Sequence, residues 1–485
     1  MRKITILIPI MFALLALRAD SLEGVTKADL SAILDRLARL EAENKAQAAK
    51  IAELEKQNLA LAGPLKSQDS IVAQIKTEES TTTNSTGRIF TTESGHKYFL
   101  ADKVANIFEP LSESGLQITP YGYLAFEGTW NSHAVDADVC TDFVKRHGKG
   151  GTTLSMQDSI LGMKFATPEA EHGWRFSGKA EFDLMGGHQN DYAFHWRHLY
   201  VDAQHESGWS ILFGQTWHLW KMVTPSEIDG AWLENAGHPY RRSPQVRITK
   251  KWEFEDSSLE VRAGIVKGGP GMGGDRDEDE IQDNSASNWA LMQGAIVYDH
   301  IAPWEETSRR WLIGLGGMYG RDRAHRLLDN GTFGGEDDEY DSKMVMVAGA
   351  LPLFTKFTLT GQIFAGDNLG GVQAGCAQRV SYMHPGRGRE VSTIGGFADL
   401  RYDLNETWSF AIGYGFDDPT DSEARYALGI LRNDRAYIDA FYNINANFKL
   451  GLEYARLTTV YGDKGEEVDD EVGNDRLQFS AWYNI

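Results

Sequence analysis

The chain has 485 residues, 48 Lys+Arg against 69 Asp+Glu, a formal charge of -21, 50 Gly, 13 Trp, 18 Tyr, 22 Phe and 2 Cys. Nucleic-acid affinity comes from neutralising phosphates with Lys and Arg, so the acidic balance argues against a nucleic-acid partner; two Cys cannot build a disulfide scaffold or a four-thiolate zinc site. A mean hydropathy of -0.38 excludes a helical membrane protein, but not a transmembrane β-barrel, whose strands alternate lipid-facing and lumen-facing residues and average out polar.

Met1-Arg2-Lys3 is a basic head, and Ile4 to Leu17 is an apolar stretch ending near Ala19. This is the layout of a secretory signal peptide over 1–19, with cleavage expected after Ala19. From Leu30 a seven-residue repeat follows. Leu30, Leu37, Asn44, Ile51 and Asn58 share one seam position, and Ile33, Leu40, Gln47, Leu54 and Leu61 the other. These are the a and d positions of a coiled coil, expected over 28–62 and read as an oligomerisation element. Arg36 can meet Glu41, and Lys50 can meet Glu55, on a neighbouring chain. The polar Asn44, Gln47 and Asn58 cost stability but specify register and oligomeric state. Gly63-Pro64 cannot continue the helix, and 63–115 is polar enough to serve as a linker leading to the next domain.

From about Leu116 the period becomes two. Trp174, Phe176, Gly178, Ala180, Phe182 and Leu184 alternate with Arg175, Ser177, Lys179, Glu181 and Asp183. Such a segment matches the roughly ten residues a tilted strand needs to cross a bilayer. Leu116 to Trp130, Gln245 to Phe254, Leu259 to Ile265, Trp311 to Tyr319, Phe357 to Ala365, Trp408 to Phe416 and Phe448 to Tyr454 repeat the pattern. In Ala193 to Ala203, however, Arg197 shares parity with Leu199, Val201 and Ala203. Either a bulge resets the phase there or Arg197 does not face the lumen. About 16 such segments are expected, the even number of a closed single-chain barrel. Short turns alternate with long acidic loops at Asp275 to Asp283, Glu336 to Asp341 and Glu466 to Asp475. The final residues Leu477, Phe479, Ala481, Tyr483 and Ile485 alternate with Arg476, Gln478, Ser480, Trp482 and Asn484, so the chain ends within a strand. The expected fold is all-β: an antiparallel transmembrane barrel of about 16 strands over 116–485, preceded by an α-helical coiled coil.

Arg197-His198-Leu199-Tyr200-Val201-Asp202-Ala203, then Gly208-Trp209 and Phe213-Gly214-Gln215-Thr216-Trp217, resemble a strand pair of the DcaP-like trimeric porins of Gram-negative outer membranes. Ser159-Ile160-Leu161-Gly162-Met163-Lys164 is similar to an early strand of that family, with Ile160 where the family often has Arg. The resemblance implies a homotrimer with one channel per protomer, a periplasmic coiled coil bundling the three N-termini, and passage of small, often anionic, hydrophilic solutes. It directs attention to Gln215, Thr216, Trp217 and His218, just before the Leu219 to Pro244 connection, as the place where a loop folds inward.

A porin does no covalent chemistry, and charged rings and pore width set its selectivity. The polar phase of the strands offers Arg175, Lys179, Glu181, Asp183, Arg197, Arg247, Lys251 and Arg262 as pore-lining candidates, along with Gln215. Arg241 and Arg242 are candidate constriction cations. Each is equally readable as a solvated residue paired with its neighbours. No cofactor is expected, although acidic external loops offer carboxylates to Ca²⁺ bridging lipopolysaccharide phosphates. His195 and His198 have opposite strand parity, so they are expected on opposite faces, and no metal site is read from them. Whether Cys140 and Cys376 pair is open. Three functions fit: a diffusion channel in the outer membrane, a structural protein whose coiled coil tethers the membrane to peptidoglycan, and an outer-membrane hydrolase. No nucleophile elbow or zinc-protease motif supports the last.

Overall fold

The computed structural model describes residues 87–91, 97–101, 115–168, 171–187, 192–268, 290–302, 309–329, 331, 333–464 and 469–485. The signal peptide, the coiled coil, most of the linker and Asp275 to Asp283 lie outside the described residues. Gly87–Thr91 and Lys97–Ala101 pair as a small antiparallel hairpin.

Sixteen antiparallel strands close into one barrel. They are β1 (Gln117–Asn131), β2 (Thr152–Ser155 and Ile160–Ala166), β3 (Trp174–Asp183), β4 (His195–His205), β5 (Trp209–Trp217), β6 (Arg242–Glu253), β7 (Ser257–Val266) and β8 (Leu291–Ile301). The second half is β9 (Arg310–Leu327), β10 (Phe333–Pro352), β11 (Phe357–Asp367), β12 (Ser392–Asp403), β13 (Trp408–Pro419), β14 (Ile430–Asn443), β15 (Phe448–Tyr461) and β16 (Asp470–Asn484). Both pieces of β2 pair with β1, so they form one strand interrupted at Met156 to Ser159. β16 pairs back onto β1, with Leu477 opposite Trp130 and Tyr483 opposite Leu124.

The barrel has the polarity of a soluble protein turned inside out. Ile412 and Leu452 are each 56% exposed on the outer face, whereas Asp439 and Glu453 are 1% and 0% exposed inside. Apolar surface costs about 25 cal/mol per Å² in water, so the continuous outer belt requires lipid or another chain against it. No helix among the described residues is long and apolar enough to cross a membrane. Aromatic pairs gather at the end with short turns: Phe357 stacks on Tyr402 and Trp408 tilts against Tyr442, both at 4.6 Å between centroids. Amphipathic rings suit the membrane–water interface at this height.

Two stretches expected as acidic loops are strand instead. Glu336 to Asp341 lies inside β10, and Asp470 to Asp475 inside β16. In both stretches carboxylates meet arginines across the ladder. Arg321 reaches Glu339 and Asp341 at 3.1 Å, Arg326 reaches Asp338 at 2.7 Å, and Arg456 reaches Asp475 at 3.0 Å. Opposite charges facing each other across a pair support a strand that the charge run alone would discourage.

Candidate channel constriction

The connection between β5 and β6 enters the barrel. Leu219, Trp220, Ala231 and Leu233 are fully buried, and Val223 and Ile228 nearly so. Its apolar side packs with Ala411, Tyr437, Ala455 and Leu457 of the wall. The wall is cut back to admit it: a Cβ on Gly316 of β9 would lie 2.7 Å from Trp220 Cβ, and one on Gly415 of β13 would lie 2.1 Å from the Ala236 carbonyl. Polar anchors then fix the loop to β12 through β16. Ser226 donates to Asp399 at 2.8 Å, the Ile228 amide to Glu453 at 2.9 Å, and the Gly237 amide to Asp417 at 2.9 Å. Arg435 binds Glu227 at 2.6 Å and Asp229 at 2.9 Å, and Arg476 approaches Asp229 at 3.3 Å. Burial pushes the Asp229 carboxyl up, but Arg476 and Arg435 outweigh it and hold the group below the usual carboxylate range.

The loop's other side is cationic and aromatic. Arg242 lies 4.6 Å over the Trp217 ring, and Lys221 lies 4.9 Å over the same ring and 5.7 Å over Trp232. Tyr240 closes the cluster 5.5 Å from Trp217 and 5.8 Å from Trp232. Among the described residues neither Lys221 nor Arg242 has a carboxylate within salt-bridge distance, and Arg242 Nη1 is buried without a hydrogen-bond acceptor. Burial, with Arg242 and Arg197 adding like charge, lowers the Lys221 ammonium to about 8. Sequence reading missed Lys221. Its only signal is a place among Trp217, Trp220 and Trp232 in the connection already marked as inward-folding. Arg241 does not join Arg242: its Nη1 donates to the Gly371 carbonyl at 3.2 Å, in the connection between β11 and β12.

Beside this cluster, β3 and β4 form a charged panel. The ladder slips between Glu181 and Phe182, so that Glu181 faces His198 and Phe182 faces Trp196. Arg197 is therefore the extra residue of a β-bulge, and it turns inward together with His198. Arg197 bonds Glu181 and Asp183, both at 2.9 Å, while Lys179 reaches Glu181 at 2.7 Å. The Tyr121 hydroxyl donates to Glu181 at 2.7 Å. The bulge also corrects the histidine expectation: His195 contacts Asp183 at 3.1 Å and His198 contacts Thr216 at 3.0 Å, so both face inward.

Other candidates scatter. Arg175 shares the inward row of Lys179 and Glu181. Lys251 pairs with Glu253 at 2.7 Å. Arg262 pairs with Glu260 and donates to the Leu219 carbonyl at 3.1 Å, bracing the loop's root. Arg247 faces inward with a buried Nε that has no acceptor among the described residues. Gln215 is a correction: it lies in register with Leu199 and Pro244 on the outward row and donates to the Trp196 carbonyl at 2.7 Å. Period two on β5 sends Thr216 in and Gln215 out. Cys140 and Cys376 are both free thiols. Among the described residues no group of three or more His, Cys, Asp or Glu is placed to hold a metal ion.

Sixteen antiparallel strands, apolar outside and charged within, with a long connection folded into the lumen, are the architecture of an outer-membrane porin. No family model and no curated protein matches the sequence. Among solved structures, the outer membrane channel DcaP of Acinetobacter baumannii superposes with a TM-score of 0.57 at 17% identity, covering 76% of this chain and 97% of that one. The anion-selective porin from Comamonas acidovorans gives 0.48 at 11% identity, covering 76% and 100%. Salmonella typhi OmpF, in complex with daunomycin, gives 0.48 at 13%, covering 77% and 99%. The likeness to DcaP that the residues around Arg197 and Trp217 carry extends to the whole barrel as a fold.

Proposed function

We propose that this protein is an outer-membrane porin, a water-filled channel for passive diffusion of small hydrophilic solutes with a preference for anions. The observation that carries the reading is the pair Lys221 and Arg242, held over Trp217 at the inward loop without carboxylate partners. Unneutralised cations beside a narrowed path attract anions and repel cations. The short turns face the periplasm and the long connections the exterior. Three copies assemble side by side in contact with lipid and lipopolysaccharide, with the segment 28–62 as a periplasmic coiled coil that comes within reach of peptidoglycan. DcaP, whose barrel this one resembles, is itself an outer membrane channel, which supports the same reading.

Reversal potentials in planar bilayers under a salt gradient test it. Wild type should favour Cl⁻ over K⁺, and Lys221→Met with Arg242→Met should move the reversal potential toward cation preference. Protein that stays electrically silent, or a double variant with unchanged selectivity, overturns the proposal.

A further inference from the structure

Beneath the loop, Asp439 of β14 and Glu453 of β15 are direct cross-strand partners facing the lumen. Glu453 Oε2 is engaged, accepting from the Ile228 and Asp229 amides at 2.9 and 3.2 Å. Glu453 Oε1 and both carboxylate oxygens of Asp439 are buried and, apart from the approach of the two carboxyl groups to each other, have no hydrogen-bond partner among the described residues. A bare buried carboxylate oxygen is costly, so these three call for a positively charged occupant.

The charges around the pair say which kind. The loop brings Glu227 and Asp229, β12 brings Asp399, and Tyr437 and Ser226 donate to Asp399 at 2.8 Å each. The compensating cations are Arg435, spent on Glu227 and Asp229, and Arg476, beside Asp229. Lys449, over Phe441 at 4.0 Å, and Arg401, paired with Asp403 at 2.9 Å, also act on Asp439 and Asp399. Counting Asp403, six carboxylates meet four cations, two negative charges in excess. One proton shared between Asp439 and Glu453 would remove a single charge and join two of the three bare oxygens, leaving the third bare. A hard divalent cation removes two charges and takes six to eight oxygen ligands, with water completing what protein leaves open.

We propose that Asp439 and Glu453 seat a hard divalent cation of the Ca²⁺ type, which fastens the constriction loop to the barrel wall. Glu453 would serve both, one oxygen on the cation and the other on the loop backbone. Two side chains supply few protein ligands, so this is a weak site suited to the millimolar divalent ions outside a cell. The inference rests on where the loop sits and is independent of which solutes pass.

The test uses the full-length protein in detergent, stripped with chelator and titrated with Ca²⁺ while its melting temperature is followed. Tb³⁺ serves as a luminescent substitute, sensitised through Tyr437. Wild type should melt higher with Ca²⁺ and show saturable Tb³⁺ emission that Ca²⁺ displaces; Asp439→Asn should lose both. A second variant, with Asp275, Asp277, Asp279 and Asp283 changed to Ser, keeps Asp439 and Glu453 and must keep both responses. No Ca²⁺ response in wild type, an undiminished response in Asp439→Asn, or loss of the response in the loop variant overturns the proposal. Bilayer selectivity is a separate readout, so failure here leaves the channel reading standing.

Discussion

Arg435 reaches from the barrel wall to Asp229 of the lumenal loop, 2.9 Å between Nη2 and Oδ2, with both side chains all but sealed from solvent. The same guanidinium grips Glu227, so one residue holds the loop at two nearby acidic positions. Removing one partner of a buried pair costs about 3–5 kcal/mol because it strands the other charge. Arg435→Met should therefore lower the melting temperature and make single-channel current noisy as the loop detaches. An unchanged melting temperature and a quiet channel would show that the apolar packing suffices.

The same anchor predicts an acid limit. Asp229 titrates below its unfolded value, so the stability it contributes is present above the unfolded pKa of about 3.9 and is lost as pH falls through the lowered value. Loss of the Asp229 contribution, read as a step in single-channel conductance, is expected in strong acid. Asp229→Asn should remove the acid dependence.

Lys221 sets a second pH dependence of opposite character. With its ammonium lowered to about 8, the constriction loses a positive charge as pH rises through that value. Anion preference should weaken between about pH 7 and 9, and Lys221→Met should flatten that part of the profile. The unfolded chain keeps this proton to about 10.4, so the titration favours the folded state across the same range and stability cannot account for the change.

Gly237 is where the loop meets the far wall, at φ +108°, with its hypothetical Cβ 2.2 Å from the Gly396 carbonyl. Gly237→Ala should displace the loop, raising conductance and lowering the melting temperature. Gly331→Ala is the control: its φ is +82° and nothing lies within 4 Å of the added methyl, so only about 1–2 kcal/mol of backbone strain is expected. Equal effects at both sites would argue against close approach as the cause.

If the chain assembles as the proposed trimer, deleting 28–62 should weaken that assembly, read as a lower temperature of conversion to monomers on gels, while conductance per channel stays near wild type. Lost envelope attachment with an intact trimer would favour a tether instead.

Much of the barrel was legible because the lipid face and lumen impose period two, which Trp174 to Asp183 keeps through ten residues. Arg197 broke the period, and that break marked the bulge. What stayed hidden lies where period two has no meaning. The anchors of the inward loop join Ser226 to Asp399 and Gly237 to Asp417, separations of 173 and 180 residues that no local pattern encodes. Glu336 to Asp341 looked like a loop because its charges were read without Arg321 and Arg326 across the ladder. Gln215 belongs to a motif that points to the pore, but its strand parity puts it opposite Leu199 and Pro244 on the outer face.

The seam between β16 and β1 joins Asn474 to Asn131, 343 positions apart, and the Ile485 amide closes it on the Gly122 carbonyl at 2.9 Å. The ring can therefore shut only after the last strand has been synthesised. Until then both edge strands stand bare, open to pairing with any neighbouring chain. Assembly is a race between closure and aggregation, and a chain without its last strand cannot win it. A premature stop that removes only Leu477 to Ile485 would spare nearly all of the pore's residues and yet yield no pore.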